Sequence, residues 1–559
     1  MNNIKNYLKP IYLIGFIVLL GGYLRFYKLN WGEGYFFHPD EYHIVRAVNE
    51  LSFPKAMDPH FFSYGSFTVY TIYFLRLFLT SALNTPLTKL NPFLVGRALS
   101  AFYSTVSIIV VFLLSKELFK KKAFPYLAAV LVALTPGLVQ QAHFATPESN
   151  LTFWILLTIF LWISWMKTKS WRYLALSAVT FGLATGTKII ALMLFPLFLY
   201  AIFFDLFPLR AARIRTFFGK LFTLVLFLLS FLIVFPYSIL DYKSFISSMN
   251  YEGSVASGKL AVFYTRMFFE TKPVVFQIQK ILPYAIGPVL LLLGFTGFGI
   301  SIYMVLKQLL QRKVKSYPWI ITTFSFVLLF FSNAFLFAKW TRFIAPTFTF
   351  FSFFSLLSIQ KFVSLFKRKL RTRVFYLLSS FVLATTLISG LLVFSIYTHR
   401  DVRVAGNAWL NENIPPNSFV LTEAGNMLEI PLTGNLKKVP FDFYNLDENP
   451  ALPTQLTYHL SQADYFIIQS RRIYLNHQKF PKRFPKTARF YYLLFSGNLG
   501  FAEIKRFESY PSLTINGKGI ILKDESAEET WSVFDHPVVR VYKKINSFTQ
   551  KDYETILGI

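Results

Sequence analysis

The chain has 559 residues, of which 54% are hydrophobic, 19% aromatic and only 15% charged, against roughly 25% charged in soluble globular domains. With its repeated long apolar runs, this composition excludes an ordinary soluble domain and points to a polytopic membrane protein. The net charge of +29 would suit nucleic acid, but the bases fall in short clusters between apolar runs, a pattern set by membrane orientation; the absence of cysteine excludes disulfides, thiolate nucleophiles and Cys-based metal sites.

Lys5 and Lys9 precede an apolar run from Ile11 to Leu24 with no small-residue cleavage site after it, so the first span is expected to be retained. A helix needs about 20 apolar residues to cross the hydrocarbon core. Eleven candidates follow, near 10–28, 93–115, 123–139, 150–166, 172–187, 189–205, 220–239, 281–306, 318–337, 342–360 and 374–396. Basic clusters alternate with them: Lys116 to Lys122, Lys167 to Arg172, Arg210 to Lys220, Lys307 to Lys315 and Lys361 to Arg373. With the N-terminus inside, every cluster lies on the inner face. That arrangement requires the run 174–204 to be two helices with a tight outer turn at Lys188. It also requires 61–83, interrupted by Arg76, to be a juxtamembrane or re-entrant segment. The acids then gather on the outer side, around long loops at 29–92 and 240–280.

After residue 396 polar residues, prolines and short alternating runs appear. Strands are expected at 418–421, 465–468 and 538–542, and helices at 401–413 and 453–462. This predicts a soluble α/β domain over 397–559, outside the membrane because the number of spans is odd.

The first outer loop contains Phe37-His38-Pro39-Asp40-Glu41-Tyr42. The pair could be solvated acids capping a helix that starts near Tyr42. It could instead be a general base with a neighbour that positions it. Glu148 stands at the mouth of a span, where a charge is costly unless it faces a cavity; a first-turn acid is the plainer alternative. His143 precedes it in the same loop and could be an interfacial side chain. Lys188, Lys339 and Arg342 put cations at outer ends of spans. Singly they read as snorkelling side chains. Together, beside carboxylates and on the side where bases are disfavoured, they suggest a phosphate or diphosphate ligand. No nucleotide-binding glycine loop or HExxH helix is present. Gly182 and Gly186 read as helix-packing residues.

An Asp-Glu pair in the first outer loop, an acid in the second, the Gly182 to Lys188 turn and the Arg342 to Pro346 element resemble the GT-C membrane glycosyltransferases. The likeness is to glycosyltransferase family 39, the protein O-mannosyltransferase and aminoarabinose transferase branch, and its prokaryotic relatives. His38-Pro39-Asp40-Glu41 is a form found among those relatives. Tyr491 to Phe501, Asp524-Glu525-Ser526 and Asp535-His536-Pro537 are similar to their extracytoplasmic tails, so the resemblance covers most of the chain. It implies a GT-C-like transmembrane domain over 1–396 and an extracytoplasmic α/β domain. It also implies a polyprenyl-phosphate sugar donor and a lipid, glycan or protein acceptor on the outer face of a prokaryotic plasma membrane, with no nucleic acid. Asp40 would be the catalytic carboxylate, supported by Glu41, with Glu148 where relatives more often have Asp. Lys188, Lys339 and Arg342 would hold the donor phosphate, and His38 and His143 would contact substrate. A lipid-phosphate leaving group needs charge stabilisation, which cations supply. No cofactor is therefore required, and a divalent metal is an alternative that no motif indicates. Attack opposite the phosphate would invert the anomeric centre. Two other readings compete: a transporter or flippase of lipid-linked sugars, which would be expected to carry intramembrane charges near the midplane, and a noncatalytic envelope assembly protein.

Overall fold

A computed structural model describes residues 2–203, 214–311, 317–425, 429–515 and 518–559. The basic residues Arg210, Arg213, Arg312, Lys313 and Lys315 lie outside the described residues. The chain forms two compact units. The first comprises Met1–Leu29, Asp40–Leu260 and Thr271–Phe394; the second comprises Asn30–Pro39, Ala261–Glu270 and Ser395–Ile559.

The first unit is helical. Among the described residues six helices are long and apolar enough to cross a membrane: Pro92–Leu118, Glu148–Thr168, Pro288–Leu310, Tyr317–Ala334, Thr341–Ser364 and Arg368–Ile396. Length and composition thus support six of the eleven expected crossings. The first expected span lies within the Asn2–Phe26 helix and the one at 220–239 largely within Ile214–Val234; elsewhere local breakers set where helices begin and end. Pro136 lacks an N–H and splits the expected 123–139 span into Ala123–Leu134 and Pro136–Gln141. Gly287, at φ +82°, precedes the Pro288–Leu310 helix, so the expected span at 281–306 begins later. The run 174–204 breaks at Lys188, which is extended between the Trp171–Thr187 helix and a tight 3-10 turn at Ile189–Leu194.

Large apolar side chains such as Leu292, Tyr303, Tyr376 and Leu377 are exposed on the long helices. A lipid environment accounts for such a surface; water does not. Charges within the helices find partners instead. Arg25 donates to the carbonyls of Val132 and Ala133 at 3.0 and 2.8 Å, at the end of the Ala123–Leu134 helix. Arg76 donates to the carbonyls of Leu90 and Leu87, within the Phe67–Ala82 helix that occupies the segment expected to be juxtamembrane or re-entrant. The Trp171–Thr187 helix packs on Ile214–Val234 so tightly that a Cβ on Gly182 would lie 1.9 Å from Ser230 Oγ.

The second unit has strands β1 (Phe419–Glu423), β2 (Lys437–Phe441), β3 (Tyr465–Ile468), β4 (Phe501–Phe507), β5 (Ser512–Ile515), β6 (Lys518–Ile521) and β7 (Val539–Lys544). Five form a mixed sheet in the order β2-β1-β3-β7-β4, parallel through β3 and antiparallel beyond it; β5 and β6 form a separate hairpin. Alternation along the strands sends Leu421, Phe466 and Ile468 to one core and Val420, Tyr465, Ile467 and Val541 to the other. Helices at Val402–Asn413 and Leu452–Gln462 stand where the sequence places them.

The division at residue 396 is crossed by two stretches from the expected loops at 29–92 and 240–280. Phe37 lies under the Arg403 guanidinium, 3.7 Å from ring centroid to Cζ. Arg266 donates to Tyr444 O at 2.6 Å and to Glu448 at 2.7 Å. Both stretches belong to the second unit because their side chains are satisfied there. The unit also holds a buried ionic knot. His536 contacts Asp524 at 2.8 Å and Asp535 at 2.5 Å, and the Tyr397 hydroxyl donates to Asp535 at 2.8 Å. Burial alone would lower the imidazole pKa; the two carboxylates outweigh it and push the value up to about 10.

Candidate functional site

The helix containing the Asp-Glu pair runs from Pro39 to Glu50, starting earlier than the sequence suggested. Proline suits the first helical position, and acids in the first turn complement the helix dipole. Asp40 and Glu41 point in different directions and meet different partners. Glu41 is fully buried and receives two parallel bonds from Arg97, at 2.8 and 2.7 Å, plus one from the Ala145 main-chain N–H at 2.7 Å. Arg97 also donates to Leu29 O at 2.7 Å. This fork fastens the short helix to the Pro92–Leu118 helix and to the loop that carries Ala145.

Asp40 faces a different group. Its Oδ2 accepts from Tyr64 Oη at 3.0 Å and lies 2.6 Å from an Arg342 guanidinium nitrogen. Glu148 begins its long helix with its side chain almost wholly buried, and Lys188 Nζ donates to its Oε1 at 3.0 Å. Tyr64 links the two ion pairs. Its hydroxyl reaches Asp40, and its ring centroid is 5.0 Å from Lys188 Nζ, with the Phe343 ring 5.4 Å from the same ammonium. Arg342 lies over Trp340 at 4.9 Å. Burial, then the Asp40 charge, push the Tyr64 phenol well above its ordinary range, so it is a donor to the carboxylate at neutral pH.

A close main-chain contact holds Tyr64 there. The Gly65 N–H donates to Thr187 O at 3.1 Å, and a Cβ on Gly65 would lie 1.9 Å from Gly186 O. Only glycine admits that approach, and it registers the Tyr64 loop against the Lys188 turn. Two carboxylates, two cations and a phenol from five chain segments thus converge within the first unit. Such a set can remove a proton from a hydroxyl and face an anion with fixed positive charge.

The remaining sequence-selected residues make other contacts. His143 is fully buried, and both ring nitrogens face main-chain carbonyls, Val139 at 2.8 Å and Tyr27 at 3.0 Å. Either ring nitrogen can donate to one of these carbonyls, depending on the tautomer. His38 is buried in the second unit, its ring centroid 4.2 Å from that of Phe534. Lys339 donates to Phe337 O at 3.0 Å, and burial lowers its pKa. The sequence reading missed Tyr64 and Arg97. Arg97 carried a usable signal, because an arginine inside an apolar span needs a buried partner. Tyr64 carried none, since its role depends on how the loop folds back. Among the described residues the one group with donor atoms converging at metal-ligand spacing is Asp58, His60 and Asp241; none belongs to the Asp40 set.

Residues 63–251 match the family model of dolichyl-phosphate-mannose-protein mannosyltransferase. That stretch contains Tyr64, Glu148 and Lys188. No curated protein matches the chain. Among solved structures, the chain is similar to the archaeal oligosaccharyltransferase AglB from Archaeoglobus fulgidus, solved with an inhibitory peptide and a dolichol-phosphate. The TM-score is 0.50 at 14% identity, over 87% of this chain and 72% of that one. Similarity to ArnT from Cupriavidus metallidurans in the apo state has a TM-score of 0.48 at 11% identity, over 85% of this chain and 95% of that one. The fold is the GT-C membrane fold: membrane helices followed by a C-terminal domain built on a sheet.

Proposed function

We propose that this protein is a glycosyltransferase that moves a sugar from a polyprenyl-phosphate donor to an acceptor at the outer face of a prokaryotic plasma membrane. The convergence of Asp40, Glu148, Lys188 and Arg342 on Tyr64 carries the reading, and the family match over residues 63–251 supports it. The acceptor hydroxyl attacks the anomeric carbon as the bond from that carbon to the phosphate oxygen breaks. Asp40 takes the hydroxyl proton, and the polyprenyl phosphate leaves with the bonding pair. Arg342 and Lys188 stabilise the charge that grows on the leaving phosphate. Tyr64 orients Asp40, and Glu148 fixes the Lys188 ammonium. Glu41 acts through position, by holding the helix that presents Asp40. Attack from the side opposite the phosphate inverts the sugar.

Purified protein in lipid nanodiscs, supplied with a radiolabelled polyprenyl-phosphate hexose, tests this. Release of polyprenyl phosphate with sugar passing to an envelope extract, or slowly to water, is the expected result. In proteoliposomes, movement of intact donor between leaflets without cleavage would favour a flippase and overturn the proposal.

A further inference from the structure

A second convergence of side chains lies outside the Asp40 set. Asp58 and His60 precede Tyr64 in the first outer loop, and Asp241 caps the Tyr242–Ser257 helix by accepting from the Ser244 N–H at 3.3 Å. One donor atom of each residue lies within 4.8 Å of the other two. Ligands bonded at about 2.0–2.2 Å to one divalent ion sit about 3–4.4 Å apart. Closing these three onto a metal therefore asks for shifts of less than about 1 Å. The two carboxylates come from segments far apart in sequence, and a cation between them offsets their repulsion. His60 Nδ1 already lies 3.4 Å from Asp58 Oδ2, and the His60 main-chain N–H donates to Asp58 Oδ1 at 2.9 Å.

A groove of about 690 Å³ opens beside the cluster, lined by His60, Asp241, Lys243, Ser247 and Tyr251 among others. Two of the three donors are part of its wall, so an ion held there would keep coordination positions open to water or to a ligand oxygen. One imidazole with two carboxylates suits a borderline ion such as Zn²⁺ or Mn²⁺ better than Mg²⁺ or Ca²⁺, which favour all-oxygen sets.

We propose that Asp58, His60 and Asp241 bind one divalent transition-metal ion that ties the first outer loop to the Tyr242–Ser257 helix. The ion fastens the loop that leads into Tyr64 and borders the groove. This inference does not depend on glycosyl transfer.

The test uses the full chain in detergent, stripped with chelator and dialysed, then titrated calorimetrically with Mn²⁺ alone and with Zn²⁺ alone. One saturable site per chain is expected for at least one of the two ions. Asp58→Asn, His60→Gln and Asp241→Asn should each weaken it by at least about tenfold, the scale on which metal sites respond to loss of supporting groups. Asn at 241 can still cap the helix, and Asn at 58 can still accept from the His60 N–H, so these variants separate lost ligation from lost folding. An unchanged elution profile and melting temperature of the stripped variants would show that they fold. Absence of saturable binding of both ions, or binding within twofold of the parent in all three folded variants, would overturn the proposal.

Discussion

Replacing Asp40 with Asn separates charge from shape at the candidate site. Asn keeps the volume and one carbonyl oxygen, so the Tyr64 hydroxyl retains an acceptor where it now bonds Asp40 at 3.0 Å. What is lost is the basicity and the ion pair to Arg342 at 2.6 Å. Both partners of that pair retain only 17% side-chain exposure, so screening is partial and the stability cost is about 1–3 kcal/mol, between that of an exposed pair and that of a fully buried one. A general base contributes about 10²–10⁴ in rate, or about 3–5 kcal/mol of barrier at 1.36 kcal/mol per decade. The kinetic effect therefore exceeds what lost stability explains. The assay is turnover of radiolabelled polyprenyl-phosphate sugar by variants matched for monodisperse elution and melting temperature. Glu50→Gln is the control: Glu50 ends the same helix and pairs with exposed Arg46. Turnover by folded Asp40→Asn within a few-fold of the parent would remove Asp40 from the mechanism and leave Glu148 as the next candidate base.

Arg342→Ala and Lys188→Ala should raise the donor concentration needed for half-maximal rate by at least about tenfold, as loss of a charge-assisted contact implies; unchanged donor saturation curves would dismiss the phosphate assignment. Glu41→Gln leaves the Arg97 guanidinium buried without its counter-charge and should cost about 3–5 kcal/mol; a melting temperature equal to the parent's would contradict the positioning role. His536 has a pKa raised from 6.5 to about 10, so its stabilising contribution is complete below pH 6.5 and is lost as pH rises through about 10. Melting temperature should fall over that window, less steeply in His536→Gln, and an identical pH dependence in both would refute the link. For sidedness, cysteines at the exposed positions Thr88 and Gln455 should react with an impermeant thiol reagent applied to intact cells or spheroplasts. One at Lys121 should not; labelling at Lys121 would reverse the expected topology.

The sequence carried the architecture because its signals are local. Long apolar runs fix helices by length, and the alternation in Tyr465-Phe466-Ile467-Ile468 marks a strand that the structure places at those residues. Break points were less legible. Pro136 and Gly287 decide where helices start, and their effect depends on neighbours. At the site, Asp40, Glu148, Lys188 and Arg342 could be picked out as charges at span ends, and they converge. The family resemblance gave Asp40 the catalytic role and Glu41 the supporting one, but not the support's partner: adjacent residues on one helical turn point about 100° apart, and only tertiary packing decides which one meets Arg97. His38 and His143 look like ligands in a motif. One packs against Phe534 and the other faces the carbonyls of Val139 and Tyr27, so each has a partner remote in sequence.

The membership of Asn30–Pro39 and Ala261–Glu270 in the second unit has a practical corollary for dissecting the protein. Deleting Ser395 onward would take away Arg403 from Phe37 and Phe534 from His38, and would leave the Arg266 guanidinium without Tyr444 O and Glu448. The shortened chain would retain two unsupported segments, one of them directly preceding Asp40. Inactivity of such a truncation would therefore say nothing about where the chemistry resides. A chimaera exchanging C-terminal domains between relatives would have to transplant three pieces of sequence, of which the tail is only the longest.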